Sequence, residues 1–156
     1  MIFISIIKNS RERKRFIRFA VVGAIGAFVD FGTFNLLSQV FHIDPVIASI
    51  TSFITALTSN FIWNRYWTYP DSRTKAVSQQ VFQFAVVNLI GLAIRTPIFF
   101  GFSKLFLYFI NRIKIFETFS ISNEVFGNNV ALAVAIIVVM FWNYFANRYW
   151  TYSDVN

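Results

Sequence analysis

Residues 60–69 read NFIWNRYWTY, and residues 143–152 read NYFANRYWTY, with seven of ten positions identical at an offset of 83. Upstream, FAVVGAIG at 19–26 returns as FAVVNLIG at 84–91, six of eight identical at an offset of 65. The chain is two copies of one unit, about 16–71 and 81–154, behind a basic N-terminal tail at 1–15. The 18 residues by which the offsets differ fall between Lys104 and Glu124. That insert mixes apolar and basic residues (KLFLYFINRIKIF), so it either extends the preceding helix or lies flat at a membrane surface.

Each copy carries two apolar stretches long enough to cross a hydrocarbon core, which takes about 20 residues. The four run from about Phe16 to Val40, Pro45 to Asn64, Val81 to Phe102 and Val125 to Asn147. They are continuous and do not alternate, which excludes barrel strands. The reading is an all-α membrane protein of four transmembrane helices, built as two parallel two-helix repeats. Such repeats are related by a pseudo-two-fold axis along the membrane normal. The composition agrees: 56% of residues are hydrophobic and 13% charged, too few charges to cover a soluble domain of 156 residues. Cysteine is absent, which removes disulfides, thiol nucleophiles and thiolate metal sites.

The net charge of +7 is unevenly placed. Lys8, Arg11, Arg13, Lys14, Arg15 and Arg18 precede or open the first span, and Arg65, Arg73 and Lys75 follow the second. The connection at His42 and Asp44 has no Lys or Arg. The positive-inside rule places both termini and the middle connection in the cytoplasm. The charge reads as topogenesis and contact with anionic lipid rather than nucleic-acid binding, since no polar domain exists to carry the latter. His42 reads as a surface residue of a short loop.

Asn60 and Asn64, four residues apart, share a helix face, as do Asn143 and Asn147. Amides in hydrocarbon need partners. Arg65 and Arg148 stand at the cytoplasmic boundary with a donor fork suited to phosphate oxygens. Two such clusters brought together by the repeat make a candidate lipid-phosphate and sugar site of Asn60, Asn64, Arg65, Asn143, Asn147 and Arg148. The alternative is that the amides glue helices and the arginines snorkel. Trp67 and Trp150 fall where an interfacial aromatic belt would anchor the cytoplasmic ends.

Two charges interrupt the spans. Asp30 in the first copy and Arg95 in the second are equivalent under the 65-residue offset. A lone charge at that depth costs about 2.5–3.5 kcal/mol, so each needs a partner. An Asp30–Arg95 pair would be a structural bridge, or part of a polar path. Thr96-Pro97 after Arg95 predicts a kink. Gly23, Ala24, Gly26 and Ala27 permit close helix approach. The sequence shows no hydrolase triad, dinucleotide glycine pattern, phosphate-binding glycine loop or metal-ligand spacing, and the expectation is a non-enzyme without a cofactor.

From Phe16 to Tyr152 the chain resembles the GtrA-like family of four-span membrane proteins. The paired N-x-x-x-N-R-x-W-T-Y endings carry the resemblance, together with the opening RFIRFAVVGAIGAFVDFGTFNLL. Tyr stands where the family often has Phe. The resemblance implies translocation of a polyprenyl-phosphate-linked monosaccharide across a bacterial or archaeal cytoplasmic membrane, for glycosylation of cell-envelope polysaccharide or teichoic acid. It implies as partners the lipid-linked sugar, membrane lipids and a membrane glycosyltransferase that makes the donor. The alternatives are a non-transporting scaffold for such a transferase, and a small-molecule exporter dependent on Asp30. Four spans are few to enclose a sugar phosphate, so a homo-oligomer, a dimer or larger, is expected.

Overall fold

The computed structural model of the chain describes residues 9–113 and 123–155, and these are helical with short connections and no strand. Helix α1 spans Ser10–Asn35 and continues as a π-helical turn over Leu36–Val40. Helix α2 spans Pro45–Trp63 and ends in a π turn at Asn64–Thr68. Helix α3 spans Val77–Ile113, and α4 spans Asn123–Ala146 before a π turn at Asn147–Thr151. Among the described residues, three stretches are long and apolar enough to cross a membrane: Ser10–Val40, Val77–Ile110 and Phe126–Thr151. Helix α2 is 19 residues long with no formal charge, about 28 Å at 1.5 Å per residue.

The boundaries shift outward from the hydropathy reading. Helix α1 begins at Ser10, before the apolar run, because Asn9 caps it and accepts from the Arg11 N–H at 2.9 Å. Glu12 lies in the first turn, where a carboxylate suits the helix dipole. Helix α3 runs on to Ile113, so residues 104–113 of the insert extend that helix. Pro97 lies inside it. Lys8 and Glu117, with 114–122, lie outside the described residues.

The chain forms two compact units, one of Met1–Ala85 with Asn147–Asn156, the other of Val86–Ala146. In the first, α1 and α2 pack antiparallel. Arg18 meets Trp67, Gly26 meets Asn60, and Asp30 meets Ser52, so one number falls as the other rises. A Cβ on Gly26 would collide with the Asn60 side-chain amide, so at that crossing any larger residue makes the amide move. Phe61 meets Phe84 edge to face at 5.7 Å.

The second unit is also an antiparallel pair. Trp142 Nε1 donates to the Val87 carbonyl at 3.1 Å, Gly91 lies against Asn143, and Ser103 donates to Asn128. Gly127 faces Leu107 and Ile110. A Cβ on Gly91 would stand 2.7 Å from Asn143 Oδ1. Gly26 with Asn60 and Gly91 with Asn143 are the same contact made once in each repeat. Large apolar side chains point away from each core: Phe28, Phe31, Leu92 and Ile137 are exposed. An apolar exterior on helices of this length suits lipid as solvent.

Candidate functional site

The two copies of Asn-Arg-Tyr-Trp-Thr are both π-helical. Tyr69 N–H bonds the Asn64 carbonyl at 2.8 Å, and Tyr152 N–H bonds the Asn147 carbonyl at 2.7 Å, five residues back in each case. After each turn the chain bends again, Ser72 N–H to Tyr69 O and Val155 N–H to Tyr152 O. Both motif ends belong to the first unit. Their tyrosines stack there, with the Tyr69 and Tyr152 rings 4.4 Å apart and 17° from parallel.

The start of each repeat holds the motif of the same repeat by its tryptophan carbonyl. Arg18 Nη1 donates to Trp67 O at 2.9 Å, with its guanidinium over the Trp67 ring at 5.6 Å. Gln83, its equivalent at the 65-residue offset, lies within hydrogen-bond distance of both Trp150 O (3.2 Å) and Trp150 Nε1 (3.0 Å), and satisfies both with its amide turned so that nitrogen faces the carbonyl and oxygen the indole N–H. Lys75 Nζ also donates to Trp150 O. Trp67 and Trp150 are therefore fixed by polar contacts as well as standing at the ends of apolar helices.

The motif arginines reach the other way, each to the opening helix of the opposite repeat. Arg148 forms an ion pair with Glu12, Nη2 to Oε1 at 3.1 Å and Nε to both carboxylate oxygens at 3.1 and 3.2 Å. Glu12 also receives Arg15 Nη1 at 2.6 Å, and Arg15 Nη2 reaches Asp71 at 2.6 Å. Arg65 donates to Gln80 Oε1, and Gln80 Nε2 donates to Ser72 Oγ at 2.6 Å. Gln80 is the 65-residue counterpart of Arg15, and Asp154 the 83-residue counterpart of Asp71.

Asp154 ties the segment after the second π-helical turn of the chain to the tail. It accepts from Ser72 Oγ, from Thr74 N–H at 3.0 Å and from Thr74 Oγ1 at 2.9 Å. Burial acts to raise its carboxyl pKa, but the hydrogen bonds from Ser72, Thr74 and Lys75 outweigh that and hold it at about 2. The Tyr152 phenol is pushed far up by burial, against the lowering influence of the Arg65 charge.

The amides differ between copies. Thr151 Oγ1 donates to Asn147 Oδ1 at 2.8 Å. In the first copy, Asn64 Oδ1 and Thr68 Oγ1 are buried with no hydrogen-bond partner among the described residues, and so is the Tyr152 hydroxyl. Asn60 Oδ1 is likewise buried without one. Asn60 and Asn143 sit one turn deeper than the arginines, packed on Gly26 and Gly91.

Asp30 is half-buried and accepts from Ser52 Oγ at 2.5 Å. Arg95 belongs to the other unit, where it is exposed. Glu12, Gln80, Gln83, Ser72 and Asp154 are the residues that span reading passed over. The two offsets could have found Gln80, Gln83 and Asp154, because they map onto Arg15, Arg18 and Asp71.

This geometry, a duplicated helix pair closing on Asn-Arg-Tyr-Trp-Thr, has a counterpart in known proteins. The model of the GtrA/DPMS transmembrane domain family matches residues 18–152. The chain belongs to that family. It is 28% identical over 137 residues to YngA of Bacillus subtilis (strain 168), described as an uncharacterized membrane protein, across 88% of this chain and 78% of that one. It is 28% identical over 89 residues to a dolichol-phosphate mannosyltransferase of Pyrococcus furiosus, across 57% of this chain and 25% of the relative. This GtrA/DPMS-family chain is a membrane protein, and its matched region takes in both motif copies, α3 and α1 from Arg18 onward.

Proposed function

We propose that the protein moves a polyprenyl-phosphate-linked monosaccharide from the cytoplasmic to the outer leaflet, without catalysing a reaction. In this reading four helices span the cytoplasmic membrane of a bacterium or archaeon, with both termini inside. The observation that carries it is the gathering of both motif ends, with Arg65 and Arg148 largely withdrawn from solvent, at the ends of apolar helices. Arginine there matches a phosphate at headgroup depth by charge and by its donor fork. The Pyrococcus relative, named for dolichol phosphate, supports a lipid of the polyprenyl-phosphate class as the cargo. Asp30, on α1 about two turns beyond Val22, offers a polar group further along for a sugar headgroup, and Arg95 offers a charge at the equivalent position of the second repeat. A homo-oligomer supplies the width that four helices lack.

The test is exposure of a polyprenyl-phosphate hexose at the far leaflet of proteoliposomes. Wild type is expected to expose it well above empty liposomes, and Asn64→Ala/Arg65→Ala to fall to the level of empty ones. No exposure by folded wild-type protein overturns the reading. It would favour a second one, a scaffold for a glycosyltransferase. The Pyrococcus match occupies a quarter of a transferase, so this kind of domain occurs joined to an enzyme.

A further inference from the structure

The duplicated motif suggests two equivalent arginine sites, but the two arginines have unlike surroundings. Arg148 faces a carboxylate. Glu12, 8% exposed, lies between Arg148 and Arg15, and Asp71 takes the other end of Arg15. Among the described residues, two cations there meet two anions. Arg65 is 7% exposed, and its side chain bonds only the neutral amide of Gln80 among the described residues. Position 80 holds Gln where the first repeat holds Arg15, and among the described residues no carboxylate forms an ion pair with Arg65. A cation out of water without an anion is held at a cost that a phosphate would relieve. The Tyr152 hydroxyl is fully buried, within reach of the Arg65 charge, and has no hydrogen-bond partner among the described residues. A phenol donor and a guanidinium fork without an anion suit phosphate oxygens.

We infer that the chain holds one anion site rather than two: a phosphate group binds at Arg65 with Tyr152, displacing Gln80, while Arg148–Glu12 is a permanent latch. The inference rests on the reading of the cytoplasmic cluster as the phosphate site and fixes which half of it engages the ligand. Displacing Gln80 exchanges a neutral hydrogen bond for a charge-assisted one. Displacing Glu12 would strand Arg148, while Arg15 would keep Asp71. The phosphate belongs either to a lipid headgroup or to a free anion, since both offer the same oxygens.

The test is binding to the full chain in neutral-lipid nanodiscs, read by native mass spectrometry and Trp fluorescence, with a short-chain polyprenyl monophosphate as probe and inorganic phosphate as competitor. One polyprenyl phosphate per chain is expected. Arg65→Gln should weaken it at least tenfold, and Tyr152→Phe severalfold. The informative variant is Gln80→Glu, which gives Arg65 the carboxylate that Arg148 already has. It should melt at or above the wild-type temperature and bind at least tenfold more weakly, a combination that misfolding cannot produce. Arg13→Gln, an exposed charge on the first turns of α1, should bind as wild type. Competition by millimolar inorganic phosphate assigns the site to any phosphate anion, and its absence assigns it to the lipid. Two probes per chain, or Gln80→Glu binding as wild type, would overturn the inference. Transport failing while binding follows this pattern would overturn the flippase reading alone. Transport unaffected by Gln80→Glu would overturn the single site and leave transport standing.

Discussion

Replacing Glu12 with Met removes the carboxylate that Arg148 pairs with among the described residues. Met keeps the length and apolar stem of the side chain, so packing changes little. Glu12 serves two arginines, and the loss falls on them unequally. Arg15 keeps Asp71 at 2.6 Å and stays paired. Arg148, with 13% of its side chain exposed, is left without an anion. Removing one partner of a buried pair costs about 3–5 kcal/mol, and with a single stranded charge the lower end, about 3 kcal/mol, applies. For a chain of this size that is a fall in melting temperature of about 6–12 °C. The assay is thermal unfolding in detergent followed by fluorescence-detected size exclusion. A companion variant, Glu12→Met/Arg148→Met, separates charge from shape. If the stranded cation is the cause, the double variant is more stable than Glu12→Met alone, because a pair replaced by apolar side chains is often neutral. A shift of under about 1 kcal/mol in Glu12→Met would refute the latch, since exposed ion pairs contribute no more than that. So would a double variant worse than either single one.

Gly26→Ala places a methyl group 2.3–2.6 Å from the Asn60 amide and is expected to destabilise by about 1–3 kcal/mol in the same assay. Gly91→Ala, whose nearest atom is 2.7 Å away, should cost less than Gly26→Ala. The Asp154 ties respond to acid: its carboxyl is held at about 2, below its ordinary 3.8, so their contribution is complete above about pH 4 and is lost as pH falls through about 2. Amide exchange at Thr74 and Lys75, corrected for intrinsic rates, should accelerate over that window in wild type, and Asp154→Asn should be fast and flat across it. Asp30→Asn keeps an acceptor for Ser52, so it should leave the melting temperature within about 1 kcal/mol equivalent of wild type while lowering lipid-linked sugar exposure in proteoliposomes. Unchanged exposure would remove Asp30 from the path.

The apolar stretches and the doubled motif are legible in one dimension because membrane solvent imposes a long, uniform signal. Helix bounds are less so. Helix α1 starts at Ser10 because of an asparagine cap, which hydropathy does not register, and that extra turn and a half brings Glu12 to Arg148. Nothing local in the sequence marks Glu12, because the residue that needs it lies 136 positions away. Gly26 was visible as a small residue, but its partner Asn60 was not, because helix crossing points depend on register between segments. The π turns at Asn64–Thr68 and Asn147–Thr151 leave no hydropathy trace either: one residue more per turn is a backbone event. What the repeat concealed is its own asymmetry, visible only when Gln80 is set against Arg15.

The exchanged arginines have a consequence for how such a chain can be divided or inherited. Arg65 finds its acceptor on the helix that opens the second repeat, and Arg148 finds its acceptor on the helix that opens the first. Cleaved between Pro70 and Val77, neither half could complete its own motif end. Two copies of a half would have to trade arginines as subunits, which is the arrangement a gene duplication and fusion would have captured in a single polypeptide.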